Sequence, residues 1–474
     1  MLADRETADK LESTKDELDQ AGIKIVYYDE AFIAGLSDST PIPDSRNNDI
    51  KSSDTRSLIY TSGTTGLPKG VMMIAGRMVN TAKSMAEYLR LKQGDKFYTC
   101  LPLYHGAAQG LCTTPVIFAG AAMRLDKKFS HKTFWPSVSE SGATHLQYVG
   151  ELCRYLINSP PHPLERKHQL RMAWGNGMRP DVWERFRERF NIPVINELYA
   201  ATDGLGATFN ENRGEFSRNC IGVRGALWNW KMGNNELHAR IDPDTEEIVR
   251  GPDGWVERCN INEPGEVIHK LDPAMLEQAF KGYYKNEAAT QKRLMRDVFQ
   301  KGDLWFRSGD VHRTDKNGRV FFVDRLGDTF RWKSENVSTN EVADALGLFP
   351  QIAEANVYGV AVPHADGRCG CATVVLTEGL SPDQLDCEGL GSFVLDRLPR
   401  YAVPYFLRVT PQLSYTGTFK IQKGQAKREG VDLDLIARGE GSKDVVYWLP
   451  PGEKKYRRYQ REDWENLKGG RVKL

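Results

Sequence analysis

Tyr60-Thr61-Ser62-Gly63-Thr64-Thr65-Gly66-Leu67-Pro68-Lys69-Gly70 is the stretch on which the reading of this chain turns. Its three glycines let backbone amides come close to a polyanion. Three threonines and a serine add hydroxyl donors, and Lys69 adds a point charge on a flexible stem. A loop of this composition following a strand is built like a phosphate cradle. It is not a Walker A loop, because Pro68 falls where, counting from Gly63, a second glycine is required. The alternative reading is a flexible Gly/Ser turn.

Leu58-Ile59-Tyr60 ahead of the loop reads as a short strand. Behind it, Met78, Ala82, Met85, Ala86 and Leu89 recur at helical spacing and predict an amphipathic helix. Further on, Trp183, Phe186 and Phe190 share a helical face and Val194-Ile195 follows as a strand, an alternation that favours an α/β architecture. Upstream, Ile23 to Tyr28 looks like a strand, and Asp38 to Arg56, rich in Ser, Pro, Asp and Asn, reads as a surface loop. Asp324-Arg325-Leu326-Gly327-Asp328 is polar with a glycine and suits a hinge. Beyond it, a helix from Glu341, strands at 356–362 and 372–376 and a helix at 385–398 suffice for a small α+β domain. The expected organisation is a large domain over 1–324, a small lid domain over 325–440 and a basic tail over 441–474. From Glu453 onward the chain carries eight Lys or Arg against four Asp or Glu. That stretch reads as a solvated tail, or as one attracted to an anionic membrane surface.

Composition narrows the classes. The 474 residues are 40% hydrophobic and 27% charged, with a net charge of +1, an ordinary globular balance without the basic excess of a nucleic-acid binder. No apolar run approaches the length of a transmembrane helix, and the charged opening residues are unlike a signal peptide. The eight cysteines are scattered without a C-x-x-C pair, which reads as buried thiols in a reducing, intracellular compartment.

All eleven residues from Tyr60 to Gly70 resemble the signature of the adenylate-forming (AMP-binding) superfamily. Residues 148–156, Gly175-Asn176-Gly177-Met178-Arg179-Pro180, 324–333 and Tyr415-Thr416-Gly417-Thr418-Phe419-Lys420 resemble the fatty acid transport protein / very-long-chain acyl-CoA synthetase family, from about residue 57 onward. The resemblance implies an α/β fold, with a large domain of layered β-sheets and helices followed by a small α+β lid. It also implies ATP-dependent ligation of a long- or very-long-chain fatty acid to coenzyme A through an acyl-adenylate, with ATP, Mg²⁺ and coenzyme A as cofactor and co-substrates.

By the same resemblance, Thr61, Ser62, Gly63, Thr64, Thr65, Gly66 and Lys69 hold the pyrophosphate end of ATP, and Thr61 also touches Mg²⁺. Gly175, Asn176 and Gly177 line the adenine pocket. In Asn196-Glu197-Leu198-Tyr199-Ala200-Ala201-Thr202-Asp203, Tyr199 stacks on adenine, Thr202 bonds the α-phosphate and Asp203, where relatives have Glu, binds Mg²⁺. Asp310 takes both ribose hydroxyls and Arg325 contacts ribose and phosphate. Lys420 is the catalytic lysine of the lid and His105 the gate beside the carboxylate. Gly327 and Asp328 form the hinge that withdraws Lys420 and presents 333–336, in which Ser334 replaces a glycine, to the thioester tunnel.

The family carries a much longer segment ahead of its phosphate loop than the residues present here, which reads as a missing membrane-associating N-terminus and a large domain incomplete at its start. Val472-Lys473-Leu474 loosely resembles the peroxisomal Ser-Lys-Leu address. Peroxisomal or peripheral-membrane location follows as an expectation. Two rival activities stand beside the main one: a ligase for a specialised carboxylic acid of secondary metabolism, and a non-catalytic fatty-acid transport or binding component.

Overall fold

A computed structural model describes residues 2–36, 43–61, 69–242, 247–326, 328–333, 335–365, 367–415, 421–439 and 443–474. Residues up to Lys51 form a unit of their own. In it β1 (Leu2–Asp4) and β2 (Val26–Tyr28) pair in parallel, so the strand read at 23–28 is confined to its last three residues. Asp29 caps the helix Glu30–Ala34 by accepting from the Phe32 amide, one of the donors a helix start leaves unpaired.

The second unit runs from Ser52 onward. It opens with β3 (Thr55–Thr61) and β4 (Lys69–Ile74), antiparallel with Leu58 opposite Met72. The strand therefore starts three residues earlier than expected, inside the presumed surface loop. The helix Ala75–Tyr88 follows and buries Ala82, Met85 and Ala86, the face its periodicity marked.

A six-stranded sheet has the order β10-β9-β8-β7-β5-β6. Its strands are β5 (Lys96–Thr99), β6 (Ala122–Leu125), β7 (His145–Val149), β8 (Met172–Asn176), β9 (Val194–Ala200) and β10 (Ala207–Asn212). All pair in parallel except β10, which runs antiparallel to β9. One apolar cluster joins Tyr98, Leu146 and Tyr148 to Leu152, Trp183, Phe186 and Phe190 from the helices Gly150–Asn158 and Pro180–Phe190. A second joins Met85, Leu89, Phe97, Trp174 and Val194. Central parallel strands need cover on both faces, and these clusters supply it.

A second sheet is antiparallel, in the order β11-β16-β15-β13-β12 with β14 also on β15. It comprises β11 (Gly222–Val223), β12 (Glu236–Ala239), β13 (Gly265–Leu271), β14 (Leu294–Arg296), β15 (Leu304–Thr314) and β16 (Arg319–Arg325). A short hairpin of β17 (Phe330–Trp332) and β18 (Glu335–Val337) comes next.

The smaller C-terminal domain holds one five-stranded sheet: β19 (Ile352–Val360), β20 (Cys369–Leu376), β21 (Phe406–Val409), β22 (Val445–Trp448) and β23 (Arg457–Arg458), side by side in that order. The helices Thr339–Gly347 and Cys387–Arg397 add Val342, Leu346, Leu390 and Val394 to its core. The basic tail proves to be part of this domain. β22 pairs with β21, β23 with β22, and the helix Arg461–Lys468 buries Trp464 and Leu467 in the same core. Those two apolar residues, three apart, share one helix face, while the basic residues around them face water.

Of the eight cysteines six are buried and none is in a disulfide. Among the described residues no helix is long and apolar enough to cross a membrane.

Candidate active site

The parallel strands of the first sheet end at a cleft of about 850 Å³, against which the second sheet presents β15 and β16. In α/β sheets ligands bind at such carboxyl ends. Asn176 reaches the cleft from the end of β8, and Thr202 and Asp203 from the loop after β9. Lys69, at the start of β4, and His105 also line it. His105 precedes Gly106, where a Cβ would come within 3.2 Å of Thr202 Oγ1, so the absence of a side chain lets the two loops touch.

Asp310 and Arg325 both line the cleft and lie directly opposite each other in the β15–β16 ladder. Arg325 Nε donates to Asp310 Oδ1 at 3.0 Å, and the Tyr199 hydroxyl donates to Asp310 Oδ2 at 2.6 Å. Burial, reinforced by the Asp310 carboxylate, pushes the Tyr199 hydroxyl well above its usual range and keeps it a donor. The ring of Tyr199 stands edge-on to His312 with centroids 4.2 Å apart and is not part of the cleft wall.

Asp203 is held on one oxygen. Arg293 Nη2 lies 2.7 Å from its Oδ2, to which the Tyr283 hydroxyl also donates. Burial alone would raise the Asp203 pKa, but Arg293 and Tyr283 outweigh it and keep the carboxylate below its usual range. Behind it, Arg77 Nη2 donates to the Gly204 carbonyl at 2.7 Å. Among the described residues no group of three or more His, Cys, Asp or Glu comes together as a metal cage. A single ionised carboxylate on a cleft of this size nevertheless suits Mg²⁺ when substrate phosphates and water supply its other ligands. The Asp203 site therefore fits nucleotide-bound Mg²⁺.

Gly175 and Gly177 flank Asn176 but are not among the lining residues. Their lack of side chains serves packing: a Cβ on Gly175 would sit 2.1 Å from the Tyr148 carbonyl, and Gly177 has φ of +80°. This turn is pinned by Glu197, which accepts from the Gly177 amide at 2.5 Å, the Met178 amide at 3.3 Å and the Tyr148 hydroxyl at 2.5 Å. Burial outweighs these donors and pushes the Glu197 carboxyl up from 4.5 to about 8. Between those values the folded chain keeps a proton that the unfolded chain has released, so this group's stabilisation is lost as pH rises through that window. Glu197→Gln does not titrate and retains an acceptor. Its melting-temperature advantage over the parent is expected to be smallest near about pH 5 and largest near about pH 9. Identical pH profiles for the two chains would rule Glu197 out as the source.

The sequence-derived candidates thus divide. Lys69, His105, Asn176, Thr202, Asp203, Asp310 and Arg325 share one cleft, and Tyr199 joins it through Asp310. Ser62, Gly63, Thr64, Thr65, Gly66, Gly327, Ser334 and Lys420 lie outside the described residues, and for Thr61 only its place at the end of β3 is described. Tyr283, Arg293 and Arg77 were not read from the sequence. They sit in no motif and become visible only when the loops come together.

The chain is also similar to known proteins. The model of the AMP-binding enzyme family matches residues 1–284, and that of the AMP-binding enzyme C-terminal domain matches residues 341–420. A very long-chain fatty acid transport protein of Cochliobolus heterostrophus is 55% identical over 100% of this chain and 73% of its own length. The likeness therefore includes the first 56 residues, where the sequence reading found none. A medium/long-chain-fatty-acid–CoA ligase of Mycobacterium tuberculosis is 37% identical over 89% of this chain and 67% of its own length. In fold, the chain resembles the o-succinylbenzoate coenzyme A synthetase of Bacillus subtilis solved with ATP and magnesium ion. The TM-score is 0.63 at 22% identity, covering 87% of this chain and 77% of that one. The chain belongs to the AMP-binding enzyme family.

Proposed function

We propose that this chain is an ATP-dependent acid–thiol ligase that joins a long- or very-long-chain fatty acid to coenzyme A. The observation that carries the reading is the convergence, in one cleft, of Lys69, Thr202, Asp203, Asp310 and Arg325, residues spread over more than two hundred and fifty positions of the sequence. Two relatives with fatty acids in their names support the substrate class.

In the first half-reaction a carboxylate oxygen attacks the α-phosphorus of ATP, the bond to the bridging oxygen breaks and pyrophosphate leaves. In the second, the sulfur of coenzyme A attacks the acyl carbon, its proton is lost and AMP departs. On this reading Asp310 accepts both ribose hydroxyls, a task for which a two-oxygen acceptor suits a cis-diol. Arg325 and Lys69 offset phosphate charge, and Thr202 donates to the α-phosphate. Asp203 would hold Mg²⁺, which when bound supplies charge neutralisation between the phosphates. His105 stands at the gate, and Lys420 bridges carboxylate and phosphate.

The domain boundary after Asp324, with Gly327 and Asp328 as hinge, belongs to the same proposal. Support comes from Asp328, whose carboxylate lies 3.8 Å from Lys423 and 3.7 Å from Lys427, both of the small domain. For location, the basic C-terminal stretch supports peripheral membrane contact. Peroxisomal delivery through 472–474 has less support, because Val472 and Leu474 are half-buried against the small-domain core.

The test is product formation from ATP, Mg²⁺, coenzyme A and a panel of acids. AMP and acyl-CoA in equal amounts from long fatty acids are expected. Turnover confined to aromatic or amino-acid-derived acids would point to a specialised ligase. Fatty-acid binding without either product would make the chain a binding component and overturn the proposal.

A further inference from the structure

Arg293 spends all three guanidinium nitrogens on the cleft. Nη2 meets Asp203 Oδ2 at 2.7 Å, Nε donates to the Tyr283 hydroxyl at 3.1 Å, and Nη1 donates to the carbonyls of Ser308 at 2.8 Å and Arg307 at 3.3 Å. The backbone is tied as well, with the Arg307 amide donating to the Arg293 carbonyl at 2.7 Å. The seat is tight. Gly309 has φ of +72°, and a Cβ there would lie 2.9 Å from Arg293 Nη1. Tyr283 closes the arrangement by donating to the same Asp203 oxygen and standing under Lys69, whose Nζ is 5.3 Å from its ring centroid.

Two consequences follow from this geometry. Arg293 and Tyr283 grip one oxygen of Asp203, which fixes the plane of the carboxylate and with it the direction of Oδ1. The same guanidinium holds the carbonyls of Arg307 and Ser308, three and two residues before Asp310. One side chain therefore sets the position of the Asp203 carboxylate relative to the irregular stretch of β15 that carries Asp310. A planar fork with fixed donors suits this task; a lysine, with one nitrogen, reaches only part of the set.

We infer that Arg293, assisted by Tyr283, is the positioning residue that aims Asp203 at the metal–triphosphate end of the nucleotide while registering it against the ribose-binding Asp310. The inference rests on the function proposed above. Groups that orient a metal-binding carboxylate change metal affinity by about ten- to hundredfold when removed.

The experiment measures ATP binding to the full chain by calorimetry, once with Mg²⁺ and once with EDTA. The chains compared are the parent, Arg293→Lys, Tyr283→Phe, Asp203→Asn and the double variant Arg293→Lys/Asp203→Asn. Arg293→Lys is expected to weaken binding about ten- to hundredfold with Mg²⁺ and by less than about twofold in EDTA. Tyr283→Phe, which loses one oxygen atom and keeps the ring, should shift the Mg²⁺ arm in the same direction by less, and it serves if Arg293→Lys does not fold. Added to Asp203→Asn, Arg293→Lys should cost much less than it does alone, because most of its effect runs through that carboxylate. Equal losses with and without Mg²⁺, or full additivity on Asp203→Asn, would mean that Arg293 only packs the loops, and the inference would fall. Unchanged Mg²⁺ binding in Arg293→Lys would overturn it too. A parent chain that binds ATP in neither condition would sink the proposed function along with it.

Discussion

Asp310→Ala is expected to raise the KM for ATP, and so lower kcat/KM for ATP, by about a hundredfold while the chain stays folded. The carboxylate is buried and holds Tyr199 on one oxygen and Arg325 on the other. On the proposed reading it also accepts the ribose hydroxyls. Two charge-assisted hydrogen bonds to the nucleotide, at about 1.5 kcal/mol each, correspond to that factor. The loss should fall mainly on binding, because ribose is bound alike in the ground and transition states. Asp310→Asn keeps one acceptor oxygen and turns an amide toward the other donor, so it should lie between parent and alanine variant. Steady-state kinetics with varied ATP separates KM from kcat. An unchanged KM in both variants would remove Asp310 from the nucleotide site.

The largest stability effect is expected at Arg408 in β21. This side chain is 2% exposed. Its Nη2 meets Glu429 Oε2 at 2.5 Å, and Asp444 Oδ2 lies 2.9 Å from its Nε. Arg408→Ala removes the guanidinium that the two buried carboxylates share and opens a cavity in the small-domain sheet. Breaking a buried pair from one side costs about 3–5 kcal/mol. Arg408→Met refills much of the volume and should recover little, since the carboxylates remain. Adding Glu429→Gln and Asp444→Asn to Arg408→Met should restore much of the loss. Hydrogen exchange across 369–376 and 406–409 reads the small domain by itself, which a single melting curve of a multidomain chain does not. Protection unchanged by Arg408→Ala would show that solvent already reaches the cluster.

The strand at Leu58–Tyr60 and the helix carrying Met78, Ala82, Met85 and Ala86 were legible because local composition and period determine them. So were the strand–helix alternation of the first sheet and the existence of a small α+β domain. Asp203, Asp310 and Arg325 stood out as members of motifs. That Asp310 faces Arg325 depended on the β15–β16 register, which the fourteen residues of intervening sequence do not state. Tyr283 and Arg293 were hidden for a stronger form of the same reason. Their partner Asp203 is 80 and 90 residues away, and nothing local marks the pairing. The C-terminal stretch misled because its charge count was conspicuous. Val445-Val446-Tyr447-Trp448, a good strand sequence, and the pair Trp464 and Leu467 carried the contrary signal.

That last stretch also bears on how the protein is made. β21 lies in the middle of its sheet, yet one of its two neighbours, β22, is translated 36 residues after it ends. Until then the nascent chain carries an open edge next to Phe406 and Leu407, both fully buried at the end. Unpaired edges of this kind template pairing between chains. A ribosome that stalls or a protease that cuts between the two strands thus releases a polypeptide that contains every residue lining the cleft, the last being Leu326, and whose small domain keeps that open edge. Quality control would have to recognise the small domain's unfinished seam, because the residues of the cleft would give no sign of it.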